Sequence, residues 1–167
     1  GFALDSEIQI SSKEEKKVNN NELSKLVFLL HEINKTKYSK DLLKHLALTD
    51  IANGSEILAG ELAIEIGRYD YAIQIAKQAS YQKRFHNKYN YPIISVPNKV
   101  GGRKIPDVAL ILSIIRQESE FDTSARSRVG AQGLMQLMTY TARTVAKQAK
   151  LGYSKSKLTR SPEYNIN

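Results

Sequence analysis

Residues 109–138 decide the fold, and they read ALILSIIRQESEFDTSARSRVGAQGLMQLM. The first part predicts a helix, because its apolar residues recur at helical spacing and no glycine or proline interrupts them. Pro106 suits the first turn of this helix, and the Asp107 carboxylate complements the positive end of the helix dipole. The second part, 121–133, is rich in Ser, Thr, Asp, Gly and Arg, and this composition predicts a loop.

Glu118 closes an apolar stripe on the predicted helix. At about 100° per residue, Ile111, Ile114 and Ile115 fall on the same side as Glu118, whereas Glu120 falls roughly opposite. We therefore expect the Glu118 carboxyl group to be partly desolvated, which favours its protonated form. A general acid that acts at neutral pH must be protonated before it reacts, so this environment suits that role. The alternative is a half-solvated glutamate at a helix end with no chemical role.

An ordered motif surrounds Glu118. Q-E-S occupies 117–119, and S-R-V-G-A-Q-G-L-M-Q-L-M occupies 127–138. This motif resembles the soluble lytic murein transglycosylases, in which a Q-E-S helix end is followed by S-x-x-G-A-x-G-L-M-Q, a hydrophobic residue and M. The chain departs from that family at Thr139, where proline is usual, and it carries additional arginines at Arg126 and Arg128.

The resemblance implies a lytic transglycosylase that cleaves the β-1,4 bond between N-acetylmuramic acid and N-acetylglucosamine in peptidoglycan. By this resemblance, Glu118 protonates the glycosidic oxygen. It then takes a proton from the sugar's own 6-hydroxyl, which forms 1,6-anhydromuramic acid. Ser127, Gln136 and Met138 are expected to contact the glycan strand. The resemblance implies a periplasmic location, and no cofactor is expected.

Each of the three binding residues also has a plainer interpretation. Ser127 could be only a turn residue. Gln136, inside an apolar run, could satisfy backbone groups of the preceding loop. Met138, like Met135, could belong to the core.

A second carboxylate near Glu118 is not evident from the sequence. Glycosidases that use water place two carboxylates about 5–5.5 Å or about 6.5–9.5 Å apart. Glu120 is expected to point away, Asp122 lies in the predicted loop, and Asp107 lies about three turns back along the helix. A single acid fits a transglycosylase, because no carboxylate need activate water.

Four helical patterns precede this stretch, at 22–33, 40–51, 55–67 and 69–81. Short breaks between them predict αα-hairpins. Ser55 is predicted to cap the third helix. The first and third patterns begin about 34 residues apart, as in tetratricopeptide-like arrays. The full repeat consensus is absent, so the pattern indicates a fragment of a helical superhelix, which precedes the catalytic domain in the transglycosylase family.

The predicted fold class is all-α: the end of a superhelix of αα-hairpins, joined to the first half of a lysozyme-like, mostly α domain. After the central motif, Thr139 or Thr141 is predicted to cap a further helix. Glu163 begins an E-x-N-I element that continues in the family, so we expect this domain to be incomplete at its C-terminus. The expected parts are a polar segment 1–20, a superhelix fragment 21–85, a linker 86–105 and a catalytic domain 106–167.

The expected linker has its own signals. Pro92 favours extended backbone at the residue before it, and Gly101 with Gly102 predicts a turn. Tyr89 and Tyr91 are expected to pack the linker onto a neighbouring element rather than to bind a ligand.

Composition excludes several functional classes. The chain carries 25 Lys and Arg against 17 Asp and Glu, a net charge of +8 that is compatible with an acidic glycan partner. No nucleic-acid-binding signature, G-x-S-x-G motif or membrane-length apolar run occurs, and the pattern of the first residues predicts no signal peptide there. Three scattered histidines without ligand spacing argue against a metal site: His31, His45 and His86.

The sequence leaves three functions open. The first is a peptidoglycan lytic transglycosylase, whose partners are glycan strands and other cell-wall proteins, with no nucleic acid and no integral membrane segment. The second is a catalytically inactive glycan-binding module. The third is a helical scaffolding protein in which the superhelix is the functional part.

Overall fold

The computed structural model describes residues 22–96, 99–100, 103–104 and 106–166. Within these ranges the chain is mainly helical, as the sequence predicts. The helices are α1 (Glu22–Glu32), α2 (Thr36–Thr49), α3 (Ser55–Glu65), α4 (Tyr69–Ser80), α5 (Asn87–Asn90), α6 (Val108–Glu118), α7 (Thr139–Gln148), α8 (Lys157–Arg160) and α9 (Pro162–Ile166). A 3-10 turn covers Ile51–Asn53, and a short antiparallel hairpin pairs β1 (Lys99–Val100) with β2 (Arg103–Lys104).

Helices α1 to α4 share one hydrophobic core, because each buries one apolar face against the next helix. The turns between them use left-handed residues, with φ of 56° at Asn34, 83° at Gly54 and 71° at Gly67. Fully or nearly fully buried core residues come from all four helices: Val27, Leu43, Leu46, Ala59, Leu62, Ala63, Ala72, Ile75 and Ala76. The four helices predicted from periodicity are therefore present, with bounds that differ by up to four residues.

The predicted N-caps of two helices are wrong. Gly54 precedes α3 with a left-handed φ of 83°, and Ser55 is the first helical residue. The Ser55 hydroxyl instead donates to the Ala47 carbonyl oxygen at 2.9 Å, which satisfies an acceptor near the end of α2. Helix α7 begins at Thr139 after Met138, and neither residue supplies a side-chain cap.

The interval 86–105 is more ordered than a plain linker where it is described, because it contains α5 and the β1–β2 hairpin. Tyr89 is buried and lies against Gly60 of α3, where an added Cβ would come within 2.8 Å of the Tyr89 Cγ. Tyr91 is exposed, and the centre of its ring lies 5.8 Å from the Arg116 guanidinium carbon. The predicted turn at 101–102 and the polar segment 1–20 fall outside the described residues.

A second core lies under α6. It consists of Ile73, Ile111, Ile115, Phe121 and Leu134. Ile73 belongs to α4, so this helix contributes side chains to both cores. Helix α4 therefore packs against both the N-terminal helices and the motif-bearing part of the chain.

Candidate functional site

Helix α6 carries Glu118 at its last position. The Asp107 side chain caps its start and accepts a hydrogen bond from the Ala109 N–H at 2.7 Å. Pro106 lies outside the helix, so its predicted first-turn position is wrong. Ser119 is the C-cap residue that follows the helix, and its N–H donates to the Ile115 carbonyl oxygen at 3.0 Å.

The Glu118 side chain is exposed, which corrects the expectation that it is partly desolvated. Helix α6 buries Ile111 and Ile115 completely or nearly so, but Ile114 remains 37 % exposed and Leu110 54 % exposed. Leu110, Ile114 and Glu118 follow one another at four-residue spacing and form a row at the edge of the buried stripe. Periodicity gives the direction of a side chain but not whether a neighbouring element covers it.

The turn after Glu118 is sterically unusual. Glu120 has φ of 51° and Phe121 has φ of 64°, so two consecutive residues with side chains adopt left-handed backbone. This conformation costs roughly 1–2 kcal/mol for each residue that carries a Cβ. Phe121 offsets part of the cost by burial, and its ring lies 6.2 Å from the Tyr69 ring of α4.

The three candidates for a second carboxylate all have structural partners. Glu120 Oε1 lies 2.6 Å from Lys77 Nζ, Asp122 accepts hydrogen bonds from the N–H and hydroxyl of Ser124, and Asp107 caps α6. Within the described part of the chain, the Glu118 carboxylate has no hydrogen-bond or ion-pair partner. No cluster of three metal-ligating side chains occurs among the described residues.

Ser127 and Gln136 both stabilise the loop in which they lie. Ser127 Oγ accepts from the Ala131 N–H at 2.9 Å. Gln136 Nε2 donates to the carbonyl oxygens of Gly133 at 2.9 Å and Ala125 at 3.3 Å. These are the contacts that the plainer interpretations describe, and a role in binding a glycan stays a prediction for both residues.

Met138 is 43 % exposed at the start of α7, whereas Met135 packs partly buried against the second core. Of the two methionines, Met138 therefore has the side chain that solvent, or a ligand, can reach. Its predicted contact with a glycan remains a prediction.

Asn165 anchors the G-L-M-Q loop; the sequence placed it in the E-x-N-I element but assigned it no role. Its side chain is nearly fully buried, and its Oδ1 accepts from the Met135 N–H at 2.7 Å. Its Nδ2 donates to the carbonyl oxygens of Gln132 at 3.1 Å and Leu158 at 2.9 Å. Asn165 therefore ties the G-L-M-Q loop to α8, and the E-x-N-I pattern was the signal that could have identified it.

A second charged cluster lies away from Glu118, in the N-terminal helices. Glu56 is buried and accepts hydrogen bonds from Arg84 at 2.7 and 3.0 Å, and it lies 2.9 Å from His86 Nε2. The hydrogen bond from Arg84 lowers the pKa of Glu56 below its ordinary value, and the His86 contact lowers it further against the opposing effect of burial. Beside this cluster a cavity of about 350 Å³ opens between α2 and α4, lined by Lys44, Leu48, Gln74, Lys77 and Tyr81 among others.

The motif-bearing part of the chain is similar to proteins of one family. The Transglycosylase SLT domain model matches residues 96–167. The soluble lytic murein transglycosylase of Escherichia coli (strain K12) is 42 % identical over 67 residues, which are 40 % of this chain and 10 % of that protein. The chain thus spans about a tenth of the length of this curated relative.

Two solved structures share the fold over most of the chain. The lytic transglycosylase Slt from Pseudomonas aeruginosa, solved as an inactive glutamate-to-glutamine mutant, has a TM-score of 0.67 and 25 % identity. The match covers 95 % of this chain and 26 % of Slt. The 70 kDa soluble lytic transglycosylase from E. coli gives the same TM-score and identity, with 90 % and 24 % covered. These matches confirm the predicted fold class. Among the described helices, none has the length and apolar character that a membrane span requires.

Proposed function

We propose that the chain is part of a peptidoglycan lytic transglycosylase, because residues 96–167 match the Transglycosylase SLT domain model. Its substrate is the murein glycan strand, and it acts in the periplasm. The proposed parts are a superhelix fragment at 21–85, a linker at 86–105 and a catalytic domain at 106–167. Peptidoglycan strands and other cell-wall proteins are its proposed partners.

Glu118 is the proposed catalytic residue. The observation that carries this assignment is that Glu118 has no partner among the described residues and faces solvent at the end of α6. The carboxylates of Glu120 and Asp122, on the turn that follows, are instead held by Lys77 and Ser124. A carboxyl group that must give and take a proton has to be accessible to the substrate. The inactive glutamate-to-glutamine mutant of the P. aeruginosa relative supports a requirement for one glutamate in this family.

The proposed reaction uses Glu118 twice. The protonated carboxyl first gives its proton to the glycosidic oxygen between N-acetylmuramic acid and N-acetylglucosamine, and the bond from that oxygen to C1 breaks. The 6-hydroxyl oxygen of the muramic acid then bonds to C1 and passes its proton to the Glu118 carboxylate, which restores the acid. No water is consumed, so no second carboxylate is required to activate one.

A bound glycan strand would cover the exposed Glu118 side chain. Glu118 is in contact with solvent in the free chain, and a bound sugar would exclude water from this side of the carboxyl group. The exposed row formed by Leu110 and Ile114 lies on the same side of α6 and gives one apolar wall beside the acid. Ser127, Gln136 and Met138 are the proposed sugar contacts on the loop side.

The product ends test this function. Murein digested with the full-length protein is expected to carry 1,6-anhydro ends, which mass spectrometry separates from hydrated reducing ends by the mass of one water. Reducing ends would indicate a hydrolase. The exposure of Glu118 favours one competing function, a glycan-binding module without turnover, and that module would bind murein and release no products at all.

A further inference from the structure

We propose that Lys77 of α4 is a positioning residue for Glu118, and that it acts through Glu120. This proposal rests on the function proposed above. It assigns a role to a superhelix residue that stands 43 positions before Glu120 in the chain.

One face of α4 holds the turn that follows Glu118. Tyr69, Ile73 and Lys77 recur at four-residue spacing, so they lie in one row on successive turns of the helix. Tyr69 contacts the Phe121 ring at 6.2 Å, and Ile73 lies with Phe121 in the second core. Lys77 Nζ completes the row by binding Glu120 Oε1 at 2.6 Å.

The turn needs such support, because its backbone is strained. Glu120 and Phe121 both have positive φ, and they follow Glu118 after a single residue, Ser119. A left-handed pair of this kind persists only where side chains are fixed by their surroundings. Phe121 is fixed by burial, whereas Glu120 remains 27 % exposed and is fixed by charge.

The Glu120 carboxylate is held from a second direction as well. Arg116, one turn earlier on α6, has a terminal nitrogen 3.8 Å from Glu120 Oε1. Arg116 is itself anchored, since it donates to the backbone and side-chain oxygens of Asn90 at 2.8 and 2.7 Å. Lys77 and Arg116 therefore hold Glu120 between α4 and α6, and this arrangement sets the direction in which the last turn of α6 presents Glu118.

The test compares Lys77→Met with Lys88→Met in the full-length protein. Both substitutions remove an ammonium group from a lysine–glutamate pair with a 2.6 Å separation, but the Lys88–Glu61 pair lies between α5 and α3 and does not touch α6. Lys77→Met is expected to lower kcat on murein about 10-fold with KM changed less than about 2-fold, because a misdirected acid affects the chemical step more than binding. Lys88→Met is expected to leave both constants unchanged.

Two further variants separate positioning from simple stability. Lys77→Arg keeps the positive charge and is expected to retain kcat. The double variant Lys77→Glu with Glu120→Lys reverses the pair and is expected to recover part of the kcat that Lys77→Glu alone loses. Equal kcat for Lys77→Met and Lys88→Met, in a protein that cleaves murein, overturns the positioning role and leaves the proposed function intact.

Amide hydrogen exchange, which requires no catalysis, distinguishes failure of the positioning role from failure of the proposed function. The N–H groups of Ser119 and Asp122 are bonded to the carbonyl oxygens of Ile115 and Ser119, each at 3.0 Å, and their hydrogen exchange reports on the turn. Lys77→Met is expected to speed this exchange at least about 3-fold relative to Lys88→Met. If the wild-type protein does not cleave murein, the proposed function fails, while equal exchange in the two variants overturns the positioning role by itself.

Discussion

Asn165 and Gly133 meet without any free space between them. A Cβ added to Gly133 would overlap the Asn165 side-chain amide and the Leu158 carbonyl oxygen, and Gly133 has a left-handed φ of 74°. The G-L-M-Q loop can reach its hydrogen bonds with Asn165 only because residue 133 has no side chain. The glycine of the motif is therefore explained by packing against α8 and α9.

Gly133→Ala is expected to destabilise the protein by about 3 kcal/mol, because backbone strain adds to the overlap with Leu158 and Asn165. Gly130→Ala is the matched control. It has φ of 93° but no atom within 4 Å of an added Cβ, so it should cost only about 1 kcal/mol of strain. Denaturant unfolding of the full-length variants measures both values, and equal losses would refute the packing explanation.

Asn165→Ala is expected to cost about 3 kcal/mol, because the Met135 N–H and two carbonyl oxygens lose their partner in a buried region. The loop should also exchange its Met135 amide hydrogen faster than the wild-type protein does. Asn87→Ala, at the exposed start of α5, serves as the control and should stay within about 0.5 kcal/mol of wild type. Unchanged protection of the Met135 amide would contradict the assigned role of Asn165.

Glu118→Gln is expected to reduce murein cleavage by about 10²–10⁴-fold, the range typical of a lost general acid. Because Glu118 is exposed and has no partner among the described residues, the free energy of unfolding should change by less than about 0.5 kcal/mol. Glu32→Gln, at the exposed end of α1, should retain the wild-type rate. A wild-type rate for Glu118→Gln would remove this residue from the mechanism.

Glu56→Gln is expected to cost about 2 kcal/mol near pH 7, because the charged hydrogen bonds from Arg84 are lost. The pKa of Glu56 is lowered in the folded chain from 4.5, so its stabilising contribution is fully present above that pH. As the pH falls through the lower folded pKa, Glu56 becomes protonated and the contribution disappears. Thermal unfolding from pH 7 downward should show the wild-type and Glu56→Gln curves converging below about pH 4.5; a constant gap would contradict the Arg84 pairing.

The helices were predictable because their signals are local. Apolar spacing fixed the course of α6, and an acidic residue before it indicated where it starts, although the structure uses Asp107 as the cap rather than as a first-turn charge. The caps of α3 and α7 were not predictable in this way. Ser55 bonds back to Ala47 of the preceding helix, and this contact depends on how α2 and α3 pack.

The sequence motif selected Glu118 and its loop as candidates, and their roles stay predictions. Periodicity could not indicate that the Glu118 side chain lies at the edge of the buried stripe. Ser127 and Gln136 could be assigned to the loop or to a ligand with equal reason until their hydrogen bonds were known. The Lys77–Glu120 pair joins positions far apart in the chain, and no local pattern marks such a pair.

The contact between Tyr89 and Gly60 restricts how this protein can diverge. Because the aromatic ring occupies the space where a Cβ at position 60 would stand, an alanine there is tolerated only if residue 89 becomes smaller. The two positions should therefore vary together among homologues, with glycine paired to tyrosine and larger residues at position 60 paired to a reduced side chain at position 89. Such covariation would reveal, from sequences alone, the contact between α3 and α5 that the tyrosine ring makes in the structure.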